Sequence, residues 1–282
     1  MTRDVRFAKY EGTGNDFVMI VDLDDEAPRT AEEAAAICDR RLGVGADGLI
    51  RIVRGRDAAL FMDYRNADGS VAEMCGNGVR CVAAFARDAG LIDMPAFDVA
   101  TVAGIHRVEL GSDGRISVEM GTPSFAKSAI PMRGPAWETF LAEPFDLGGG
   151  VTVKASAISM GNPHLVLLVE DDPDRFHVAH IGPALERHDL FPEGTNVEFA
   201  HVTPDAILTR VWERGSGETM ACGSGACAVA VAANEAGLAP ARTMVRFPGG
   251  DLEVERREDG VLVLTGPAGR VFEGVVDLDT LR

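Results

Sequence analysis

The chain has 282 residues, of which 46% are hydrophobic and 25% charged, so it can bury a sizeable core and does not belong to the disordered class. Its net charge of -17, without any run of basic residues, argues against nucleic acid as a partner but leaves room for a small anionic substrate at a locally positive site. The first residues lack the apolar core of a signal peptide, and we find no apolar run long enough to span a membrane. The five cysteines do not form a disulfide framework. We therefore expect a cytoplasmic protein with reduced thiols and no membrane partner.

The N-terminal stretch predicts two strands followed by a capped helix. Residues 5–9 and 17–21 are rich in apolar and β-branched residues, which is typical of strands. Thr30 and Glu33 have the spacing of a capping box, in which each side chain bonds the backbone N–H of the other residue. We therefore predict a helix over residues 31–41.

Residues 43–48 match the G-x-G-x-x-G spacing of a dinucleotide-binding turn. The segment follows the predicted helix and leads into a predicted strand, 49–53, whereas a Rossmann turn leads from a strand into a helix. This order argues against a nucleotide site. Cys38 has no glycine turn before it, and we interpret it as a small core residue.

A cysteine loop follows a predicted strand over 60–64 and a turn over 66–69. Its sequence is Met74-Cys-Gly-Asn-Gly-Val-Arg-Cys81, and an alanine-rich helical run comes after it. We expect the glycines to form a turn that leads into the N-terminus of this helix. The N–H groups and the positive dipole end there favour a thiolate at Cys75, and they can also hold a carboxylate.

Short strands are predicted over 97–118, and a crossover to a second half near 121–126. The second half begins with strands around Gly161-Asn-Pro-His164 and continues through a long loop that includes Asn196. After a strand over 208–212, the sequence Ala221-Cys-Gly-Ser-Gly-Ala-Cys227 repeats the core of the cysteine loop and again precedes an alanine-rich run. Many short strands around one alanine-rich helix in each half predict an α+β domain that is used twice.

The spacing of landmarks shows an internal repeat. Three pairs of landmarks share one offset of 147 residues: Cys75 and Cys222, Gly14-Asn15 and Gly161-Asn162, and Gly90-Leu91 and Gly237-Leu238. Three landmarks in a single register indicate a duplicated unit. We therefore predict two similar halves, residues 1–125 with Cys75 and residues 126–268 with Cys222.

Neither a metal nor a cofactor is predicted. His177, His180 and His188 are irregularly spaced in a polar segment, and the cysteine pairs are not spaced as zinc knuckles. Pyridoxal phosphate would need a lysine for its Schiff base. The chain has three lysines, Lys9, Lys127 and Lys154, and none lies in a phosphate-binding loop after a strand.

The duplicated loop is suited to moving a proton at a carbon beside a carboxylate. Helix N-termini that hold the carboxylate would stabilise the carbanion as it forms. A thiolate on one side of the carbon can take the proton while a thiol on the other side delivers one, and this exchange inverts the centre. Two facing thiols with an anion between them would supply both groups.

The motifs of the chain resemble those of the diaminopimelate epimerase family, which are cofactor-independent two-cysteine enzymes of lysine and peptidoglycan-precursor biosynthesis. The motifs that carry the resemblance are Gly12-Thr-Gly-Asn-Asp-Phe17, Asn66-Ala-Asp-Gly69, Met74-Cys-Gly-Asn-Gly-Val-Arg-Cys81, Gly161-Asn-Pro-His164, Thr195-Asn-Val-Glu-Phe199, Trp212-Glu-Arg-Gly215 and Glu218-Thr-Met-Ala-Cys-Gly-Ser-Gly-Ala-Cys227. They span nearly the whole chain in order.

The resemblance implies an activity, a set of site residues and a fold. The activity would be epimerisation of LL-diaminopimelate to meso-diaminopimelate, with Cys75 and Cys222 as the paired acid and base. The amides that would hold the reacting carboxylate are those of Gly76, Asn77, Gly223 and Ser224. The residues that would surround the rest of the substrate are Asn15, Asn66, Asn162, Asn196, Glu213 and Arg214. The fold would be two pseudo-symmetric domains, each a mixed or barrel-like sheet wrapped around a central helix, with the tail, about 269–282, returning to the first domain. A homodimer that closes over its substrate is also implied.

Some assignments remain open at this stage. Some family members carry a glutamine near the substrate where this chain has Gly48, so we do not carry that contact over. His164 is either a turn residue that caps a strand or a hydrogen-bonding residue near the site. Cys81 and Cys227 fall inside the helices, where packed core thiols are expected.

Three alternative functions compete with this epimerase. A related two-cysteine enzyme could racemise another acyclic amino acid, whereas proline racemases resemble Met-Cys-Gly-His-Gly at the first cysteine and this chain has Asn77. The two thiols could instead form a redox-active disulfide, which would abolish epimerase activity. A plain amino-acid-binding protein would bind its ligand without exchanging the α-proton.

Overall fold

The computed structural model describes residues 3–72, 74–148 and 150–281. The strands and helices in chain order are β1 Asp4–Gly12, β2 Asn15–Val21, α1 Ala31–Cys38, β3 Gly48–Arg54, β4 Leu60–Asn66, α2 Gly76–Asp88, β5 Ala96–Thr101, β6 Gly104–Leu110, β7 Ile116–Gly121, β8 Glu143–Asp146, β9 Thr152–Ser159, β10 Pro163–Leu168, α3 Val178–Glu186, β11 Asn196–Val202, β12 Ile207–Glu213, β13 Gly217–Thr219, α4 Gly223–Glu235, β14 Arg242–Phe247, β15 Gly250–Arg256, β16 Leu262–Gly266 and β17 Gly269–Asp277. The predicted α+β class is confirmed.

The chain divides into two compact units. One contains the described residues up to Val118 together with those from Gly266 onward, and the other runs from Glu119 to Thr265. None of the helices in the described part of the chain has both the length and the apolar character needed to cross a bilayer.

In the first unit, a mixed sheet packs around α2. β1 pairs antiparallel with both β17 and β2, β2 runs parallel to β3, and β3 is antiparallel to β4. β4 continues in parallel with β5, and β5, β6 and β7 are antiparallel. Most residues of α2 are buried, including Val79 and the alanines that follow it. A helix buried on nearly every side requires small side chains, because the strands approach it from several directions.

The second unit repeats this order of elements around α4. β10 runs parallel to β11, β11 is antiparallel to β12, and β12 is parallel to β14, as β2, β3, β4 and β5 are in the first unit. β9 pairs with β8 and β10, and β15 pairs with β14 and β16. α4 is as thoroughly buried as α2, from Ala226 through Ala233. The sequence repeat is therefore a repeat of the topology.

The first helix is correctly predicted at its start and too long at its end. Thr30 caps α1 through the predicted capping box with Glu33. The helix ends at Cys38 instead of Arg41, because the Asp39 carboxylate accepts hydrogen bonds from the backbone N–H groups that follow it, Arg41 at 2.7 Å and Leu42 at 2.6 Å. This local turn competes with the last helical hydrogen bonds.

The prediction of a long loop through Asn196 is wrong in two respects. It contains α3, and Asn196 is the first residue of β11. Gly182 and Pro183 argue against a helix in the sequence. Gly182 is required there because a Cβ would lie 2.6 Å from the Trp212 ring, so tertiary packing explains a glycine that otherwise indicates a loop.

Gly48, the first residue of β3, lies where no side chain can fit. A Cβ on Gly48 would be 2.4 Å from Cε2 of Tyr64 and 2.7 Å from the backbone oxygen of Arg65. The Tyr64 ring therefore occupies the space that a side chain at position 48 would need.

We expect Gly48→Ala to lower the free energy of unfolding by about 1–3 kcal/mol, because the added methyl group overlaps a ring and a backbone oxygen. The measurement is denaturant unfolding. The control is Gly269→Ala, since a Cβ there would have no heavy atom within 4 Å, and its effect should stay within about 0.5 kcal/mol. Equal stabilities for the two variants would contradict the described packing of Tyr64.

Candidate active site

Cys75 is the N-cap residue of α2. Its backbone is extended, with φ -146° and ψ 113°, and its Sγ accepts a hydrogen bond from the backbone N–H of Gly78 at 3.4 Å. The glycines therefore lie in the first turn of the helix, instead of in a turn ahead of it as predicted. Because the N–H groups of a first turn point out of the helix, Gly76 and Asn77 present theirs on the same end as the sulfur.

Gly78 has to be a glycine for this cap to form. A Cβ on it would lie 3.1 Å from Cδ1 of Ile50 and 3.4 Å from both Cβ of Cys75 and Sδ of Met62. A side chain at this position would crowd Ile50, so glycine suits the first turn of the helix.

The Asn15 amide faces the Cys75 thiol. Its Nδ2 donates to Oδ2 of Asp47 at 2.7 Å, and its Oδ1 accepts from Nδ2 of Asn77 at 3.3 Å and from Sγ of Cys75 at 3.6 Å. Asp47 also accepts from Arg40 at 2.7 Å, which anchors the carboxylate. Asp47 therefore determines which end of the Asn15 amide faces the thiol, a role that the sequence analysis missed.

Arg80 is a fully buried cation beneath this cap. Its guanidinium donates to Oδ1 of Asn77 at 2.8 Å, to Oγ1 of Thr13 at 3.1 Å and to the backbone oxygen of Pro267 at 3.3 Å. It therefore joins the first helical turn to the β1–β2 turn and to the C-terminal segment.

Asn66 lies at the same end of the sheet as Asn15. It is opposite Gly48 on β3, and Gly48 in turn is opposite Phe17 on β2. Its amide donates to Oγ of Ser70 at 3.0 Å. We call Cys75, Asn15, Asn66 and Asn77 the Cys75 half-site.

Cys222 caps α4 in the same way. Its φ is -128° and its ψ is 122°, and its Sγ accepts from the backbone N–H of Gly225 at 3.4 Å and lies 3.5 Å from Oγ of Ser224. Gly223 and Ser224 form the first turn. We call Cys222 together with Ser224, Glu213 and Glu198 the Cys222 half-site.

The Cys222 thiol is buried and surrounded by acidic groups. Burial raises its pKa well above the usual value for a thiol, and the charges of Glu213 and Glu198 raise it further. Removal from water likewise raises the pKa of Glu213, which accepts hydrogen bonds from Thr219 and Cys222. These groups favour a protonated sulfur at Cys222.

The two asparagines of the second unit have different environments. Asn196 is buried and uses both ends of its amide on backbone, donating to Pro163 at 2.9 Å and accepting from the N–H of Arg214 at 2.8 Å. It therefore fixes the chain that carries the exposed Arg214 side chain. Asn162 is only half-buried, and its Oδ1 lies 3.0 Å from Nε2 of His164.

His164 is a buried hydrogen-bonding residue on β10, and this finding excludes the turn-residue alternative. Its other ring nitrogen, Nδ1, lies 2.6 Å from Oε1 of Glu198, and neither side chain is exposed. Sequence reasoning missed Glu198. The available signal was a single carboxylate between the apolar Val197 and Phe199.

The other cysteines have no comparable setting. Cys81 and Cys227 are fully buried inside α2 and α4, as predicted for core thiols. Cys38 is buried on α1, where burial raises its pKa to about 12. The described residues contain no cluster of three or more side chains that could hold a metal ion.

Comparison with known proteins places these half-sites in a family context. A family model described as diaminopimelate epimerase matches residues 7–126 and 156–271. A diaminopimelate epimerase of Desulforudis audaxviator is 45% identical over 96% of this chain and 98% of its own length. A chloroplastic diaminopimelate epimerase of Oryza sativa subsp. japonica is 44% identical over 96% of this chain and 80% of its own length.

A solved structure of a more distant protein has the same fold. The hydroxyproline epimerase from Agrobacterium vitis superposes with a TM-score of 0.72 at 14% identity and covers 99% of this chain and 94% of its own. At this identity the likeness concerns the fold, while the family assignment depends on the close relatives. The chain belongs to the diaminopimelate epimerase family.

Proposed function

We propose that this chain epimerises LL-diaminopimelate to meso-diaminopimelate without pyridoxal phosphate, as an isomerase of lysine biosynthesis. The close relatives carry this name over nearly the whole length of the chain. The observation that supports the chemistry most directly is that each unit has a cysteine as the N-cap of its buried helix. A duplicated cap gives one chain two thiols of the kind that a two-base inversion needs.

In the proposed reaction, the Cys75 thiolate removes the α-proton of the L centre while the Cys222 thiol donates its proton to the opposite face of the same carbon. The products are a Cys75 thiol, a Cys222 thiolate and the inverted centre, so one proton is gained and one lost at carbon. The raised pKa of Cys222 supports its role as the proton donor in the resting enzyme. Glu213, which is hydrogen-bonded to Cys222, would hold that proton in place.

The first-turn amides would stabilise the negative charge that develops on the substrate as the α-proton is removed. We assign the reacting carboxylate to the N–H groups of Gly76 and Asn77 and of Gly223 and Ser224. Their dipoles are fixed before the reaction and point toward negative charge, which is the arrangement that lowers such a barrier.

We assign the distal amino-acid end of the substrate to polar side chains around the half-sites. The Arg214 guanidinium is exposed and its backbone is fixed by Asn196, so it can pair with the distal carboxylate. Polar amides can hydrogen-bond the charged groups at the distal end. We assign the amides of Asn15, Asn66 and Asn162 to this end, and Asn196 contributes by fixing the backbone of Arg214.

We also propose that the chain works in the cytoplasm as a homodimer and has no nucleic-acid partner. Two valines of β17, Val271 and Val275, are 54% and 58% exposed. Exposed apolar side chains grouped on one strand are typical of a surface that a partner covers.

We expect Cys75→Ser and Cys222→Ser each to lower epimerisation by a factor of roughly 10²–10⁴, because each removes one of the two acid–base groups. The measurement is α-proton exchange of LL-diaminopimelate and meso-diaminopimelate in D2O, followed by NMR under reductant without added cofactor. The control is Cys38→Ala, which alters a buried thiol outside both half-sites.

Full activity of either serine variant would refute the two-base assignment. A panel with lysine, histidine and proline tests the substrate. Exchange of another amino acid instead of diaminopimelate would refute the proposed substrate and keep the two-thiol chemistry. Binding without any exchange would favour an amino-acid-binding protein.

The pH–rate profile should be bell-shaped, because the reaction needs one thiolate and one thiol at the same time. Its basic limb marks loss of the proton from the remaining thiol. Since the charge of Glu213 raises the pKa of Cys222, Glu213→Gln should lower that pKa and move the basic limb to lower pH. The measurement is kcat/KM over roughly pH 6 to 10, and an unmoved basic limb would contradict the assignment of Cys222 as the donor.

The dimer is tested by a charge on the exposed face of β17. We expect Val275→Asp to convert the dimer to a monomer in sedimentation velocity, because an unpaired carboxylate would have to be buried in the interface. The matched control is Val102→Asp, since Val102 is 56% exposed in the β5–β6 turn. A wild-type monomer, or dissociation by both variants, would contradict this interface.

A further inference from the structure

The two halves of the repeat differ at one buried place beneath the helix cap. On paired strands, Phe17 lies opposite Gly48 in the first unit and His164 lies opposite Asn196 in the second. Two residues further along the second strand of each pair are Ile50 and Glu198. The pair Phe17 and Ile50 therefore corresponds to the pair His164 and Glu198.

The corresponding side chains approach the same glycine of each helix. A Cβ on Gly78 would lie 3.1 Å from Cδ1 of Ile50, and a Cβ on Gly225 would lie 2.9 Å from Oε1 of Glu198. All four side chains of the two pairs are fully buried. The fold therefore accommodates an apolar pair at this place in the first unit, and it has an ionisable pair at the same place in the second unit.

The ionisable pair is costly to bury, which indicates a role other than packing. Oε1 of Glu198 is bonded to His164, but its Oε2 is buried and has no hydrogen-bond partner among the described residues. A buried carboxylate with an unsatisfied oxygen destabilises the folded state relative to an apolar side chain of similar volume. Ile50 shows that such a replacement fits this scaffold.

The pair of His164 and Glu198 contacts Asn162, which is a residue of the candidate site. Nδ1 of His164 faces the Glu198 carboxylate at 2.6 Å, and Nε2 faces Oδ1 of Asn162 at 3.0 Å. Both ring nitrogens face oxygen atoms, and a ring that carries both protons donates to Glu198 and to Asn162 at the same time. The Asn162 oxygen is then held by His164, and its NH2 group is the end left for a ligand.

We propose that Glu198 is a positioning residue: it holds His164 as an imidazolium, and His164 in turn orients the Asn162 amide so that its NH2 group faces the substrate. The proposal rests on the proposed epimerase function for the identity of the substrate. The orientation of the amide follows from the residues of the second unit alone.

Three titratable groups surround Glu198. His164 faces it from β10, Glu213 acts on the same cluster from the end of β12, and Cys222 lies at the start of α4. Only His164 among these carries positive charge when protonated. The imidazolium therefore weakens, without removing, the repulsion between the Glu198 carboxylate and negative charge on the Cys222 sulfur or on the bound substrate.

Glu198→Gln separates the charge from the hydrogen bond. Its amide oxygen can still accept from Nδ1, but the negative charge that stabilises the second proton of the ring is gone. When Nε2 has no proton it becomes an acceptor, and the Asn162 amide must turn its NH2 group toward it. We expect KM for LL-diaminopimelate to rise about tenfold at pH 8, as for the loss of one hydrogen bond, and to return toward the wild-type value as the pH is lowered.

The protonation state is measured directly by 15N NMR of the His164 ring in the full chain at pH 8. The wild type should show two protonated nitrogens and Glu198→Gln only one. This readout does not depend on activity, so it decides the role of Glu198 toward His164 even if the chain does not act on diaminopimelate. A doubly protonated ring in Glu198→Gln, or a KM at pH 8 equal to that of the wild type, would overturn the proposal.

The double variant His164→Phe with Glu198→Ile copies the apolar pair of the first unit. We expect it to fold with a melting temperature at least equal to that of the wild type and to show a KM raised at every pH. Because it removes the titrating ring, it separates orientation of Asn162 from stability. A double variant with wild-type KM would overturn the proposal.

Discussion

The structure depends on one repeated interaction, the hydrogen bond from a first-turn glycine N–H to the sulfur of a cysteine that caps the helix. In both units the bond is 3.4 Å long, and it fixes the sulfur on the same end of the helix as the N–H groups of the first turn. A thiol and an anion-binding surface therefore arise from a single element of local structure. Each can serve proton transfer only because the other is adjacent to it.

This cap constrains the packing of the whole unit. A Cβ on Gly78 or Gly225 would crowd a side chain of the neighbouring strand, Ile50 at 3.1 Å in the first unit and Glu198 at 2.9 Å in the second. Burying a helix within a curved mixed sheet also requires small side chains along its length, and α2 and α4 supply alanines and valines. Glycine is unfavourable inside a helix, so the fold gives up local stability at the cap and regains it by burial of the helix.

Sequence reasoning predicted features that depend on local spacing. The offset between Cys75 and Cys222 and the capping box at Thr30 are patterns within short segments, and they led to the duplicated fold and to the start of α1. α3 could not be predicted, because Gly182 is explained only by Trp212 on a distant strand. The roles of Asp47 and Glu198 were missed for the same reason, since their partners lie about 30 residues away in sequence.

Duplication followed by divergence explains why the two thiols are not equivalent. Cys75 lies against the neutral Asn15 amide with the buried Arg80 beneath the helix turn, whereas Cys222 lies among the carboxylates of Glu213 and Glu198. An inversion that uses one base and one acid needs this difference, because two identical thiols at neutral pH would mostly share one protonation state. In the proposed reaction, the repeated cap would supply the two thiols, and the different side chains beneath Gly78 and Gly225 would distinguish the base from the acid. The cost of burying Glu198 is consistent with this division. Apolar side chains beneath both glycines would be more stable, and they would give both sulfurs the same surroundings.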